Sequence, residues 1–379
     1  MKIQIKTTDL SKKKLTKKQV FLDKNVSVIS RSGLHHLETA LITLFEEHNF
    51  GQKVLFIENR TGAAPLVYQQ LFPDSIVHTL NLDKHHSSVI NRTMNQNNLD
   101  GITIFTEAYI PEQSFYETII IQAPKDMEGE LLQDLIQNCY QHLNKNGRLL
   151  ILHQGKIQSI KNHLKSLFDG FTNLLDKKQV QIEIAKKKSN EEKQKVFHAE
   201  FTLTRHLKDP ISLTSIPGVF AHRRVDQGAQ ALIEVVEVLP NQKILDMGCG
   251  CGSIGIALVK DIPGVEVYFV DSSARAIYST DLNCKKMGIE KYKTVLSDTG
   301  IVLENYFDIY TGNPPYFSDF KIAQLFLDNA FRSLKLNGVA YIVAKSITWH
   351  EENMKLIFGN CEIITRRGYK IAKSIKTKS

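Results

Sequence analysis

The sequence predicts an α/β fold made of two copies of one unit, each a twisted, mostly parallel sheet with helices on both faces. Short apolar runs alternate along the chain with segments of helical period, which is the pattern such sheets produce. The second half also repeats the first at offsets between 188 and 191 residues, which indicates a duplicated domain. We therefore expect one domain over residues 1–205, a linker over 206–218 and a second domain over 219–379.

Four pairs of segments carry the repeat, and each pair keeps an apolar strand or the residues that border one. The matched segments are 53–62 with 243–252, Leu82-Asp83 with Val270-Asp271, Gln122-Ala-Pro124 with Asn313-Pro-Pro315, and Asn146-Gly147 with Asn337-Gly338. Between the copies, Pro210, Pro217 and Gly218 interrupt helix and strand alike, so this stretch predicts a linker.

The second copy predicts a regular succession of strands and helices. The expected strands lie near 243–247, 265–270, 293–297, 307–312 and 339–344, and the expected helices near 228–238, 253–260, 273–287, 320–335 and 350–358. Two late apolar segments, 361–365 and 369–372, predict a terminal antiparallel hairpin joined by Arg366-Arg-Gly368.

A glycine-rich turn follows the first strand of the second copy. Gly248, Gly250 and Gly252 precede a helix that begins near Ser253, and a backbone without Cβ atoms can pass close to a ligand. Asp271 ends the next apolar run, at the spacing of roughly 20 residues where a carboxylate reaches a ribose diol. The pair predicts a site for an adenosine-containing cofactor.

A nicotinamide dehydrogenase is one alternative, because residues 250–255 also satisfy the dinucleotide pattern G-x-G-x-x-G. Two features disfavour it. Asp246 stands just before the glycines, where a carboxylate would repel a pyrophosphate but could hold the ammonium group of a methionine. In addition, Asn313-Pro-Pro-Tyr316 follows the predicted fourth strand, and this motif has no part in a dinucleotide site.

Together, Asp246-Met-Gly-Cys-Gly-Cys-Gly252, Asp271 and Asn313-Pro-Pro-Tyr316 resemble the class I S-adenosylmethionine (SAM) methyltransferases that act on planar nitrogen atoms. The resemblance implies two tandem Rossmann-like domains of this class. It also implies that Asp246 and the three turn glycines meet the methionine part of SAM, Asp271 the ribose, and Asp298 the adenine amine. Asp298 could equally belong to a turn or a helix cap.

The same resemblance implies how the substrate is held. Asn313 and the carbonyl of Pro314 would accept the two hydrogens of an exocyclic amine, and Pro314 with Pro315 would hold that geometry in advance. Tyr316 would stack on a flipped base. This motif is shared by methyltransferases of adenine N6, guanine N2 and protein glutamine N5, so it does not select the substrate by itself.

The segment 215–228 narrows the choice. It resembles the Leu-Pro-Gly-Val-Phe segment, followed by Asp-x-Gly, of bacterial ribosomal RNA guanine-N2 methyltransferases, both the small-subunit (RsmC) type and its large-subunit relative. That family also carries a degenerate N-terminal copy. By this likeness Phe220, Asp226 and Gly228 line the mouth of the cofactor and substrate site. The sequence departs from the family at residues 222–224, and at Tyr316, where relatives commonly carry Phe.

The first copy lacks the residues of the predicted site. Phe56 replaces Asp246, and Glu58 and Arg60 replace Gly248 and Gly250. Residues 122–125 are Gln-Ala-Pro-Lys in place of Asn-Pro-Pro-Tyr. Side chains at Glu58 and Arg60 would fill the space that a cofactor needs. We therefore expect a degenerate domain that binds no SAM and instead supports the second domain and holds RNA.

The composition fits a polyanionic partner. The 379 residues carry a formal charge of +8, with 27 basic and 22 acidic residues through Arg205. Basic residues cluster at 12–18, at 186–188, at Arg223-Arg224 and in the C-terminal tail from Arg366, although solvated faces would give the same pattern. Five cysteines without a C-x-x-C predict neither a disulfide framework nor a metal site, and no apolar run predicts a membrane span.

We thus predict a cytoplasmic, monomeric enzyme that uses SAM to methylate the N2 amine of a guanine in ribosomal RNA or the small ribosomal subunit. The alternatives are a methyltransferase for large-subunit guanine N2 or adenine N6, and a release-factor glutamine-N5 methyltransferase. An RNA-binding assembly scaffold without catalysis is the alternative outside enzymes.

Overall fold

The structure, a computed structural model, describes residues 4–8, 15–19, 25–29, 33–155, 158–177, 179–187, 195–205, 208–315, 320–344 and 347–378. The chain divides into two compact units, Met1–Phe197 and His198–Ser379. We call them the first unit and the second unit.

The first unit alternates strands and helices after an N-terminal group of three short strands. Its strands are β1 (Gln4–Thr8), β2 (Leu15–Gln19), β3 (Asn25–Ile29), β4 (Lys53–Ile57), β5 (Ile76–Asn81), β6 (Ile102–Thr106), β7 (Tyr116–Ala123), β8 (Leu143–His153), β9 (Phe168–Lys177) and β10 (Val180–Lys187). Its helices are α1 (His36–Leu44), α2 (Ala63–Leu71), α3 (Lys84–Gln96), α4 (Gly129–His142) and α5 (Gln158–Leu167).

The second unit begins with a two-stranded hairpin and then alternates strands and helices in the same way. Its strands are β11 (Ala199–Arg205), β12 (Lys208–Ser215), β13 (Lys243–Met247), β14 (Glu266–Asp271), β15 (Tyr292–Leu296), β16 (Phe307–Gly312), β17 (Leu334–Ala344), β18 (Glu362–Arg366) and β19 (Tyr369–Ile375). Its helices are α6 (Gln227–Ile233), α7 (Ser253–Val259), α8 (Ala274–Met287), α9 (Lys321–Ser333) and α10 (Ile347–Phe358).

The two large sheets have the same topology. Among the described residues each has seven strands, in the order β6-β5-β4-β7-β8-β10-β9 in the first unit and β15-β14-β13-β16-β17-β19-β18 in the second. In the second unit β15, β14, β13, β16 and β17 run parallel, and the terminal hairpin β18–β19 is antiparallel. The predicted duplication, fold class and terminal hairpin are confirmed. Strand β13 has β14 as its neighbour on one side and β16 on the other, so the strand order reverses direction at β13. The turn after β13 therefore lies at a switch point of the sheet.

The central strands of the sheet in the second unit are covered on both faces, which explains why they are mostly apolar. In β13, Ile244 packs into one apolar cluster and Leu245 into the cluster on the opposite face. Helix α7 lies close to the sheet because a Cβ at Gly255 would stand 2.3 Å from Cε1 of Phe269. No helix in the described parts of the chain is long and apolar enough to cross a membrane.

The predicted linker over 206–218 was wrong for most of its length, because Lys208–Ser215 is strand β12. It pairs antiparallel with β11, with Ile211 opposite Leu203, and both side chains are buried. Pro210 is tolerated because the two strands form a sheet of their own, in which each strand has an open edge that needs no N–H donor. The compact units accordingly divide before β11, at Phe197.

The predicted match of Leu82-Asp83 to Val270-Asp271 was also wrong. Strand pairing sets Leu80 beside Ile57 in the first unit, as Val270 is set beside Met247 in the second. The residue that corresponds to Asp271 is therefore Asn81, and Asp83 is the N-cap of α3. The sequence comparison matched two acidic residues, whereas the sheet register assigns them to different positions.

Candidate functional site

Three neighbouring strands bring the predicted site residues to one edge of the second sheet. Met247, at the end of β13, pairs with Val270 on one side and with Gly312 on the other. The next residues along these strands are Gly248, Asp271 and Asn313. Parallel strands end at the same edge, so these three residues surround one region of the surface.

The glycine turn has the left-handed backbone that favours glycine. The φ angles are 70° at Gly248, 58° at Gly250 and 80° at Gly252. A Cβ at Gly248 would stand 2.9 Å from Cζ of Phe326, and one at Gly252 would stand 2.9 Å from Cδ1 of Ile256. A Cβ at Gly250 would meet nothing within 4 Å. Gly248 and Gly252 thus permit close packing within the protein, whereas Gly250 faces open space that a ligand can fill.

Asp246 holds this turn from inside the sheet. Its side chain is fully buried, Oδ2 accepts a hydrogen bond from the backbone N–H of Gly255 at 2.9 Å, and Oδ1 accepts one from Oγ1 of Thr311 at 3.0 Å. Burial raises the pKa of this carboxyl to about 7. The carboxylate therefore joins β13 to α7 and to β16, and its predicted contact with a methionine ammonium stays a prediction.

Asp271 links the end of β14 to the turn. Its Oδ2 accepts a hydrogen bond from the backbone N–H of Gly250 at 3.0 Å, and its Oδ1 accepts one from the N–H of Ser273 at 2.9 Å. The side chain is only partly buried. A partly exposed carboxylate beside the open face of Gly250 fits the predicted ribose contact.

Helix α8 fixes the carbonyl groups of the same turn through two side chains that the sequence reading missed. Oγ1 of Thr280 donates to the carbonyl of Gly250 at 2.9 Å, and Nδ2 of Asn283 donates to the carbonyl of Cys251 at 2.9 Å. These two residues are three apart, so they share one face of the helix. A polar pair at that spacing within the predicted helix 273–287 was the available signal.

The motif Asn313-Pro314-Pro315 follows β16 directly, while Tyr316 lies outside the described residues. Nδ2 of Asn313 donates to Oδ2 of Asp226 at 2.9 Å. The nitrogen end of the amide is therefore committed to Asp226, and the carbonyl Oδ1 is the end that can accept a hydrogen bond from a substrate amine.

The remaining predicted residues lie around this centre. Phe220 is on the turn between β12 and α6 and exposes 68% of its surface. Gly228 is buried in the first turn of α6, where a Cβ would stand 3.0 Å from Oδ2 of Asp226. Asp298 follows β15 in a tight turn in which Oγ of Ser297 donates to the carbonyl of Gly300. The roles predicted for these residues stay predictions.

The corresponding turn of the first unit is filled by the protein itself. Glu58 takes the place of Gly248, and its Oε1 accepts a hydrogen bond from the N–H of Leu82 at 2.7 Å. The buried carboxylate of Glu38, from α1, accepts hydrogen bonds from the N–H groups of Ala63 and Ala64, at the start of α2. Burial raises the pKa of Glu38. Two protein carboxylates thus accept hydrogen bonds from backbone N–H groups around this turn.

Part of the predicted basic surface makes contacts within the second unit. Arg366 and Arg367 both form ion pairs with Glu234, and Lys376 is buried with its Nζ donating to Oδ1 of Asn305 at 2.8 Å. In the first unit, Lys12-Lys-Lys14 and Lys188 lie outside the described residues. Arg223 and Arg224 are exposed on the turn that leads to α6.

Both units match one known family. The family model described as the methyltransferase small domain matches residues 19–183 and again residues 210–373. The chain belongs to the methyltransferase small domain family. Its two matches confirm that the duplicated fold predicted from the sequence is a pair of methyltransferase-type domains. Among the described residues no group of three or more His, Cys, Asp or Glu side chains could hold a metal ion.

Two bacterial proteins that share one name resemble this chain in sequence. The ribosomal RNA small subunit methyltransferase C of Shewanella sediminis is 27% identical over 303 residues, which is 78% of this chain and 85% of that protein. The protein of the same name from Pseudomonas entomophila is 30% identical over 173 residues, 44% of this chain and 52% of the relative. In this second alignment the chain spans about half the length of the relative.

A solved structure extends the likeness to both units. The T. thermophilus 16S rRNA N2 methyltransferase RsmC, in complex with AdoMet and guanosine, has a TM-score of 0.71 and 18% identity to this chain. The match covers 94% of this chain and 95% of the T. thermophilus chain. At this identity the comparison establishes a shared tandem fold.

Proposed function

We propose that this protein transfers a methyl group from SAM to the exocyclic N2 amine of a guanine in small-subunit ribosomal RNA. The observation that carries the proposal is the position of Asn313-Pro314-Pro315 beside the glycine turn, at the edge where β13, β14 and β16 end. The relatives named ribosomal RNA small subunit methyltransferase C support the substrate class, as does the T. thermophilus enzyme with AdoMet and guanosine.

The second unit fits SAM at its glycine turn. Open space above Gly250 leaves room for the cofactor, and the partly exposed carboxylate of Asp271 stands at the turn to accept hydrogen bonds from a ribose diol. Asp246 holds the turn, and above its pKa of about 7 its charge favours a nearby ammonium group. When bound, SAM supplies a methyl group on a sulfonium, which is a good leaving group.

The chain's own residues hold and aim the acceptor nitrogen. Oδ1 of Asn313 and the carbonyl of Pro314 accept the two amine hydrogens, which turns the nitrogen lone pair away from the purine plane and toward the cofactor. The two prolines restrict φ, so this arrangement exists before the substrate arrives. A strong general base is unnecessary because the methylated amine readily loses its proton. Tyr316 would stack on the flipped guanine.

We assign the first unit to RNA binding and to support of the catalytic unit, with the whole protein acting as a cytoplasmic monomer. Residues 1–205 carry five more basic than acidic side chains, and a ribosomal substrate presents phosphates well beyond one catalytic cleft. At the turn where a second SAM would bind, Glu58 and Arg60 stand in place of two glycines, and Glu58 and Glu38 are bound to backbone N–H groups of the first unit.

Labelled SAM and ribosomal substrates test the proposal. The full chain is incubated with small subunits, large subunits or protein-free 16S RNA from a strain that lacks the enzyme, and the RNA is digested to nucleosides. We expect label in N2-methylguanosine from small-subunit RNA. Label in N6-methyladenosine would overturn the base assignment, and label confined to large subunits would overturn the substrate assignment. SAM binding without any transfer would favour the scaffold alternative.

A further inference from the structure

Asp226 joins two parts of the second unit that are far apart in sequence. It is the N-cap of α6, where its Oδ2 accepts a hydrogen bond from the backbone N–H of Ala229 at 2.8 Å. The same oxygen accepts the hydrogen bond from Nδ2 of Asn313 at 2.9 Å. The start of α6 is thereby tied to the end of β16.

An asparagine amide has two ends of nearly equal size but opposite hydrogen-bonding character. The terminal torsion of asparagine is soft, so packing alone selects the orientation of the amide weakly. An ionised carboxylate can only accept hydrogen bonds, so Asp226 can bind the NH2 end of Asn313 but not its oxygen. With the amide reversed, Asn313 would present hydrogen-bond donors to a substrate amine that is itself a donor.

The surroundings keep the carboxylate of Asp226 in place. The helix cap fixes its position relative to α6, and Gly228 leaves room for it, because a Cβ there would stand 3.0 Å from Oδ2. In the first unit the corresponding N-cap is His35, whose Nδ1 accepts from the N–H of Leu37, and the residue matching Asn313 is Gln122. The first unit thus has neither an aspartate at the N-cap position, 35, nor an asparagine at position 122.

We propose that Asp226 is a positioning residue that orients the amide of Asn313 with its oxygen toward the substrate amine. This proposal rests on the proposed function, since it assigns Asp226 to the same reaction. It acts through Asn313 and requires no contact between Asp226 and the reacting atoms.

The test substitutes Asp226→Asn, because asparagine is also a good N-cap and the helix should form. An amide at position 226 can bind either end of Asn313, so the orientation is no longer selected. We expect kcat to fall about tenfold to a hundredfold, because a small misplacement of a group that holds the substrate lowers the rate of an enzyme by such factors. The Kd for SAM should change by less than about twofold. The matched control is Asp83→Asn at the N-cap of α3 in the first unit, which should leave kcat unchanged.

A double-mutant cycle separates positioning from a structural role. If Asp226 acts through Asn313, then Asp226→Asn should lower kcat in the wild type but have no further effect in Asn313→Ala. Equal losses in both backgrounds would overturn the proposal, as would a loss of SAM affinity that matches the loss of turnover.

A second measurement does not depend on catalysis. The side-chain NH2 resonances of Asn313, assigned by their disappearance in Asn313→Ala, should shift on Asp226→Asn and stay fixed on Asp83→Asn. Absence of that shift would sink the orientation argument even if the enzyme methylates guanine. If the wild type methylates nothing but the shift is seen, the proposed function fails while the contact between the two side chains stands.

Discussion

The turns after β4 and β13 occupy the same place in two sheets of the same topology, yet one is open and the other is filled. In the second unit Gly250 borders open space, whereas in the first unit Arg60 stands at that position. Glu58 is also held at a φ of 58°, close to that of Gly248, although it is not a glycine. The two turns thus share a positive φ at this position although their side chains differ.

The first unit forms hydrogen bonds of its own around the turn after β4. Glu38 is the third residue of α1, as Ala229 is the third residue of α6. Its carboxylate reaches the start of α2 and also accepts a hydrogen bond from Oγ1 of Thr61 at 2.6 Å. Helix N-termini attract anions, and here the anion belongs to the chain. A degenerate site is thus stabilised by internal groups that satisfy its backbone donors.

Gly250→Arg, which copies Arg60, should have the largest effect and abolish SAM binding, because the new side chain fills the open space at the turn. Isothermal calorimetry would measure it. Gly288→Arg is a matched control: Gly288 also has a positive φ, 65°, and no atom within 4 Å of an added Cβ. That control should keep SAM affinity despite the same backbone strain. An unchanged Kd in Gly250→Arg would contradict the steric account of the first unit.

Asn313→Gln, which copies Gln122, should lower kcat by about a hundredfold, because the extra methylene moves the amide oxygen by more than about 1 Å. The Kd for SAM should stay within about twofold, since the amide is assigned to the substrate. Steady-state kinetics with labelled SAM would separate the two quantities. The reciprocal Gln122→Asn in the first unit should leave turnover unchanged. Weaker SAM binding with normal turnover would assign Asn313 to the cofactor instead.

Glu38→Ala should destabilise the first unit by about 2 kcal/mol, because the buried N–H groups of Ala63 and Ala64 lose their acceptor. Urea unfolding followed by circular dichroism would measure the loss. Glu46→Ala, at an exposed position, should change the free energy of unfolding by less than about 0.5 kcal/mol. SAM affinity should not change in either variant. Equal stability of the two variants would show that the internal carboxylate is dispensable.

Asp246 should make the stability of the second unit depend on pH. Its folded pKa is about 7 against an ordinary value of 3.8, so the folded state binds the proton more tightly. Stability should therefore fall as pH rises from about 4 to about 7 and level off above that range. Asp246→Asn should flatten this dependence. The first unit should not contribute to it through this position, because the matching residue, Phe56, does not titrate. Trp349, the one tryptophan, would report the unfolding of the second unit. An identical slope in both proteins would assign the dependence to other groups.

The sequence by itself determined the features that depend on local residue type. Glycines at 248, 250 and 252 require a turn with positive φ, and two prolines after Asn313 require a stiff extended segment. Apolar runs of strand length, repeated at a nearly constant offset, determined the two sheets and their duplication. Each strand and turn depends on a few consecutive residues, and the repeat is found by comparing such local patterns, so no knowledge of spatial contacts was needed to recognise them.

Only the tertiary structure decided which side chains meet. The hydrogen bond between Asp226 and Asn313 spans 87 residues, and that between Glu38 and Ala63 spans 25. The match of Asn81 to Asp271 follows from strand pairing, and the ion pair of Arg366 with Glu234 joins residues that are 132 apart in sequence. Such contacts depend on how strands and helices are arranged in space. The identity of one residue does not indicate its distant partner, because strand pairing and helix packing decide which side chains come together.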